Sequence, residues 1–186
     1  MPSKSVWHLE TERLWLCPWS DSDLEIARPI FTDADVMRYI NGSRPLADID
    51  IREAIARQQN HFRLCGLCLW KLLLKPAGDF AGFCGLQPLE LDGVNEVEIG
   101  WRLMKEQWRR GLATEAAREA LRDAVSRAHL SRVIAIAMPE NRASIHVMEK
   151  LGMNFERWTH NGEFEVVVYA RDFLHSENPE RGGKQK

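Results

Sequence analysis

The chain has 186 residues, 45% of them hydrophobic and 28% charged, and a net charge of −2. That length suits one compact domain, which buries roughly 70% of the surface its unfolded chain exposes. No apolar run nears the ~18 residues of a membrane span, no secretory stretch opens the chain, and the balanced charge lacks a nucleic-acid footprint; membrane proteins, secreted disulfide scaffolds and nucleic-acid binders are excluded, and a soluble cytoplasmic globule is expected.

Leu9 to Pro18 alternates apolar and polar residues and reads as a strand. Asp21 to Phe31 and Asp33 to Tyr39 read as two helices, the second closed by an Asn41-Gly42 turn, and a longer helix follows from Asp48 to Arg63. Three strands come next: Leu67 to Lys75, Phe80 to Leu89 after the Pro76-Ala77-Gly78-Asp79 turn, and Val94 to Leu103. Thr114 to His129 carries alanines at helical spacing, a face suited to close packing on a sheet. Val133 to Met138 is apolar throughout, as in a strand covered on both faces. Asn141 to Leu151 is a capped helix ended by Gly152, and strands Asn154 to His160 and Glu163 to Ala170 meet at Asn161-Gly162. The order gives a mixed α/β domain over residues 8–175, in which only the central strand-helix-strand unit need be parallel, with a polar tail from Ser176 to Lys186 expected to be disordered.

The four cysteines do not make a zinc framework. Cys65 and Cys68 have a chelating spacing, but Cys17 and Cys84 form no second pair, so all four read as small buried hydrophobes and no metal is expected.

The chemistry concentrates between Val97 and Ala117. There a strand leads through a short loop into a helix that begins near Arg109, Arg110, Gly111, Leu112, Ala113 and Thr114. A helix start presents N–H groups without intrahelical partners, and Gly111 and Ala113 are small enough to let an anion approach them. The reading is a diphosphate held by main-chain groups; tight packing with solvated arginines explains the same residues equally well. Neither a P-loop nor a dinucleotide-binding glycine pattern is present.

The same segment resembles motif A of the GNAT superfamily of acetyl-CoA-dependent N-acetyltransferases. Gly111 and Ala113 match its last two fixed positions, and Trp108 stands where Gln or Arg is usual. W-x-x-G-L-A-T-E-A after E-I-G-W is similar to the branch that acetylates the N-terminal amino groups of ribosomal proteins. Asn141, Ser144, the Glu149-Lys150-Leu151-Gly152 run, and Glu10 to Leu14 near the start extend the likeness across residues 8 to 175.

The resemblance implies a GNAT fold whose mostly antiparallel sheet is splayed at one parallel pair to take acetyl-CoA. Main-chain groups of Trp101, Arg102 and Leu103 would hold the pantetheine arm and the acetyl carbonyl, the amides of Arg109 to Thr114 the pyrophosphate, and Asn141 the arm. Asn141 is also, on its own, a helix cap. Ser144 would lie near the sulfur as an acid, and Glu98, with Glu96 second, would take a proton from the amine; two solvent-facing carboxylates would look alike in sequence. An acidic lining from Asp33, Asp35, Glu96 and Glu98 would favour a cationic amine. The acceptor implied is a protein N-terminal α-amino group. A small amine (polyamine, aminoglycoside or amino acid) and a non-catalytic acyl-CoA-binding role are alternatives, and a homodimer is compatible with all of them.

Overall fold

The computed structural model describes residues 9–173, so the polar tail expected at residues 176–186 lies outside the described residues. The expected strand at residues 9–18 is divided into β1 (Leu9–Glu10) and β2 (Leu14–Cys17). Thr11 causes the break. Its N–H bonds the Leu14 carbonyl at 2.9 Å and its hydroxyl accepts the Leu14 N–H at 3.0 Å, closing a turn in place of continued extension. A 3₁₀ turn at Asp21–Asp23 precedes α1 (Leu24–Thr32), α2 is Ala34–Met37, and α3 runs Asp48–Cys65 to a left-handed Gly66. Then follow β3 (Leu69–Leu74), β4 (Asp79–Leu91), β5 (Val94–Leu103), α4 (Leu112–Ala128), β6 (Arg132–Ala137), α5 (Arg142–Lys150), β7 (Asn154–Asn161) and β8 (Phe164–Asp172). The last hairpin turns at Gly162-Glu163, one residue later than the sequence suggests, because Asn161 pairs with Phe164.

These strands make one eight-stranded sheet in the order β1-β2-β3-β4-β5-β6-β8-β7. All neighbours are antiparallel except β5 and β6, which α4 connects. That parallel pair has one register contact, Glu98 opposite Ile134. Beyond it, toward Trp101 on one strand and Ala137 on the other, the two strands part.

Strand alternation sorts the sheet into two faces. On one, Cys84, Leu86, Ile99, Leu103, Val133 and Ala135 pack against Leu112, Ala116, Ala117, Ala120 and Ala124 of α4. The alanines bring the helix close to the sheet, as their spacing predicts. On the other face, Phe83 meets Trp19 and buried residues of α1 and α3. Glu98, Gly100 and Arg102 alternate with Ile99 and Leu103 and so belong to this second face.

Gly85 of β4 faces the backbone of the β3 entry. A Cβ there would lie 2.1 Å from the Cys68 carbonyl oxygen. Gly85→Ala is expected to destabilise the fold by about 3 kcal/mol, seen as a lower denaturation midpoint at unchanged m-value, because the obstacle is backbone that cannot rotate away.

Candidate active site

A cleft of about 270 Å³ opens where β5 and β6 diverge. It is lined by Glu98, Gly100, Trp101 and Arg102 of β5, by Ile136 and Ala137 of β6, and by Asn141 and Ser144 at the start of α5. The structure therefore brings together Glu98, Asn141 and Ser144, which are far apart in the chain. Gly100 has room for a methyl group, its nearest neighbour being a Leu69 side-chain carbon at 3.5 Å. Packing does not require glycine here; the absent side chain keeps the cleft floor open between Glu98 and Arg102.

Glu98 is held by a relay of side-chain amides. Its carboxylate accepts a hydrogen bond from Gln87 Nε2 at 2.9 Å, across the β4–β5 pair. Gln87 Oε1 accepts from Gln58 Nε2 at 2.9 Å, and Gln58 Oε1 accepts from the Leu69 N–H at 2.8 Å. Gln58 is buried and its amide orientation is fixed by that backbone donor. Burial raises the Glu98 pKa above the usual glutamate value, and the Gln87 hydrogen bond offsets only part of the rise. A carboxylate so placed is a stronger proton acceptor than a solvated one.

Glu96 has a different environment. It contacts Arg132 Nε at 3.3 Å, and the same guanidinium holds Glu156 at 2.7 Å. Asp33 caps α2 through the Asp35 and Val36 N–H groups, and Asp35 pairs with Lys105. None of these three lines the cleft, so the acidic lining expected from sequence reduces to Glu98. Each of the others has found a local partner.

The main chain of β5 corrects a second expectation. The Arg102 carbonyl turns toward β4, where a Cβ on Gly82 would lie 2.2 Å from it, and the Met104 N–H bonds the Ala81 carbonyl at 2.9 Å. Alternation then directs the main-chain groups of Trp101 and Leu103, and not those of Arg102, to the open β6 side. The Leu103 carbonyl already accepts the Trp108 indole N–H at 2.9 Å.

Arg109 to Thr114 lie outside the cleft lining, at the α4 start. Gly111 precedes the helix at φ 79°, a left-handed conformation that glycine adopts without strain, and its carbonyl receives the first helical bond, from the Glu115 N–H. The N–H groups of Leu112, Ala113 and Thr114 precede that bond. No side chain caps this end, which leaves it suited to an external anion. Its position is fixed from below: Glu115 accepts from the Arg13 backbone N–H at 3.0 Å and pairs with its guanidinium at 2.6 Å, while Arg13 Nη1 donates to the Arg110 carbonyl at 2.9 Å. Sequence reading placed no role on Arg13 or Glu115 beyond motif membership, and their partnership spans a hundred residues.

Asn141 Oδ1 accepts the Ser144 N–H at 3.1 Å, the cap expected at this helix start. The residues that sequence reading missed are Gln58, Gln87 and the Arg102 side chain. A polar residue inside an otherwise apolar strand or helix stripe was the available signal. Of the cysteines, Cys17, Cys68 and Cys84 are buried thiols, but Cys65 is exposed. Among the described residues no group of three or more metal-ligating side chains forms, and no helix is long and apolar enough to cross a membrane.

Residues 13–154 match the acetyltransferase (GNAT) domain family. The chain is 39% identical over 149 residues to the uncharacterized N-acetyltransferase YnaD of Bacillus subtilis (strain 168), covering 80% of this chain and 84% of that one. The crystal structure of a GNAT-family acetyltransferase from Bacillus anthracis is 26% identical and superposes with a TM-score of 0.73, over 88% of this chain and 97% of the other. RimL, a ribosomal L7/L12 α-N-protein acetyltransferase solved with coenzyme A, shares the fold at 13% identity and a TM-score of 0.72, covering 87% and 95%.

Proposed function

The chain belongs to the acetyltransferase (GNAT) domain family and is an acetyl-CoA-dependent N-acetyltransferase; we propose that its acceptor is an α-amino group, such as a protein N-terminus, and that Glu98 deprotonates it. The observation that carries this reading is the Glu98 carboxylate, half-buried in the cleft and relay-held at the register contact between β5 and β6. An α-amino group has a pKa of about 7.7–8.0 against about 10.4 for lysine, so a glutamate of raised basicity suffices to free it.

The residues present fit acetyl-CoA. The parted strands offer the Trp101 and Leu103 main chain, and the uncapped α4 start offers amides for the diphosphate. Glu98 accepts one proton from the ammonium, and the neutral nitrogen attacks the thioester carbon. Main-chain N–H groups on the open edge of β5 hold the carbonyl oxygen as it gains charge. When the carbon–sulfur bond breaks, the Ser144 hydroxyl gives its proton to the thiolate and regains one, through water, from the acylated nitrogen.

The test is thiol release from acetyl-CoA in the presence of peptides of varied first residue, polyamines and aminoglycosides. Release with free peptides, and none once the peptide α-amine is blocked, is expected. Release confined to polyamines and aminoglycosides would overturn the α-amine assignment. A small α-amine is a second reading, favoured by a further cavity beside the cleft.

A further inference from the structure

Behind the cleft, between α1, α3 and the β3–β5 face, lies a cavity of about 400 Å³. Leu69, Phe83, Gln87 and Arg102 line both spaces, so the two adjoin. Its wall is apolar at Trp19, Phe31 and Ile55 but also includes Arg57, His61 and Arg102, and among the described residues no Asp or Glu.

Arg102 has no carboxylate partner among the described residues, although it is drawn into the protein interior. Arg13, Arg28, Arg127, Arg132 and Arg157 each have a carboxylate partner. The Arg102 guanidinium instead lies 5.1 Å from the Phe31 and Phe83 ring centres, and one Nη contacts the Met37 sulfur at 3.4 Å. Its Nε is buried without a hydrogen-bond partner, as is His61 Nδ1 in the same cavity. Burial lowers the Arg102 pKa to about 10, which leaves it a cation at neutral pH. A half-buried cation with a buried, unused donor and no carboxylate partner among the described residues is better satisfied when a ligand brings an anion.

We propose that the acceptor carries a carboxylate as well as its amine, and that Arg102 binds this carboxylate in the cavity behind the cleft. The assignment rests on the placing of the amine at Glu98. Glu98 and Arg102 share one face four residues apart, about 13 Å of strand, of which the two side chains take up part. The spacing suits an acceptor whose amine and carboxylate are separated by several bonds, as in a dipeptide or in a protein N-terminus with an acidic residue close behind. The aromatic and aliphatic wall takes an apolar side chain beside the anion.

The test uses acetylated products, whose binding needs no turnover. Calorimetry compares N-acetyl-alanyl-leucine with its C-terminal amide, and N-acetyl-Ala-Glu-Leu-amide with its Gln counterpart, on the wild-type chain, Arg102→Met and Arg102→Lys. At least tenfold tighter binding of one acid over its neutral partner is expected in the wild type. That preference should vanish in Arg102→Met and survive in part in Arg102→Lys. Preference within the first pair identifies a free C-terminal carboxylate as the source, and within the second an acidic side chain. Equal affinity within both wild-type pairs, or no binding of any of the four, overturns the proposal without recourse to a variant. Acetyl transfer to neutral α-amines alongside that result would leave the α-amine reading standing, whereas absence of transfer to every α-amine would remove that reading as well.

Discussion

Glu98→Gln is expected to lower kcat about 10²-fold, toward the lower end of what a general base contributes, because positioning of amine and thioester supplies much of the rate. Acetyl-CoA affinity should change little, since the amides proposed for the diphosphate lie at the α4 start and not at Glu98. The pH profile provides the sharper readout. With Glu98 as the proposed base, turnover requires its ionised carboxylate, whose pKa burial has raised, so activity is expected to fall with acidification earlier than it would for a solvated glutamate. Glu98→Gln should lose that limb. Stability moves the other way: a carboxyl whose pKa is higher folded than unfolded loses stability as pH climbs from the unfolded value through the folded one. At neutral pH the glutamine variant, still able to bond Gln87, is therefore expected to melt no lower than the wild type. Unchanged kcat would assign the proton to another group.

Gly111→Glu is the second large effect. It places an L-residue at φ 79° and a negative charge at the positive end of α4. The left-handed conformation costs about 1–2 kcal/mol in strain, and repulsion of a diphosphate adds to it, so the dissociation constant for acetyl-CoA should rise at least tenfold, or about 1.4 kcal/mol. Gly111→Asn separates the two causes, because asparagine tolerates this conformation and carries no charge. Titration calorimetry on both variants reads the difference. An unchanged constant in the glutamate variant would place the diphosphate elsewhere.

Much of the fold is local and was legible. The extent of β5, the order of the elements from α1 onward and the alanine face of α4 follow from periodicity and turn residues within short windows. The alanine-bearing helix expected from Thr114 begins two residues earlier, at Leu112, because its cap position is Gly111, which has no side chain to advertise it. The cap from Asn141 to Ser144 was readable because it is set within three residues of one helix start. The Gln58–Gln87–Glu98 relay was not, since it depends on α3, β4 and β5 meeting in one register. The acidic lining failed for a related reason. Asp35 and Glu96 are paired with Lys105 and Arg132, and no local pattern foretells which carboxylate stays free of a cation.

The lone rung between β5 and β6 leaves the sheet as two panels joined at a corner, with α4 as the only covalent strap between them. Whatever molecule slides into that seam becomes a missing stave of the sheet. With acetyl-CoA in the proposed place, resistance to unfolding would be shared between the polypeptide and its guest, and would track the prevailing level of acetyl-CoA as well as the sequence.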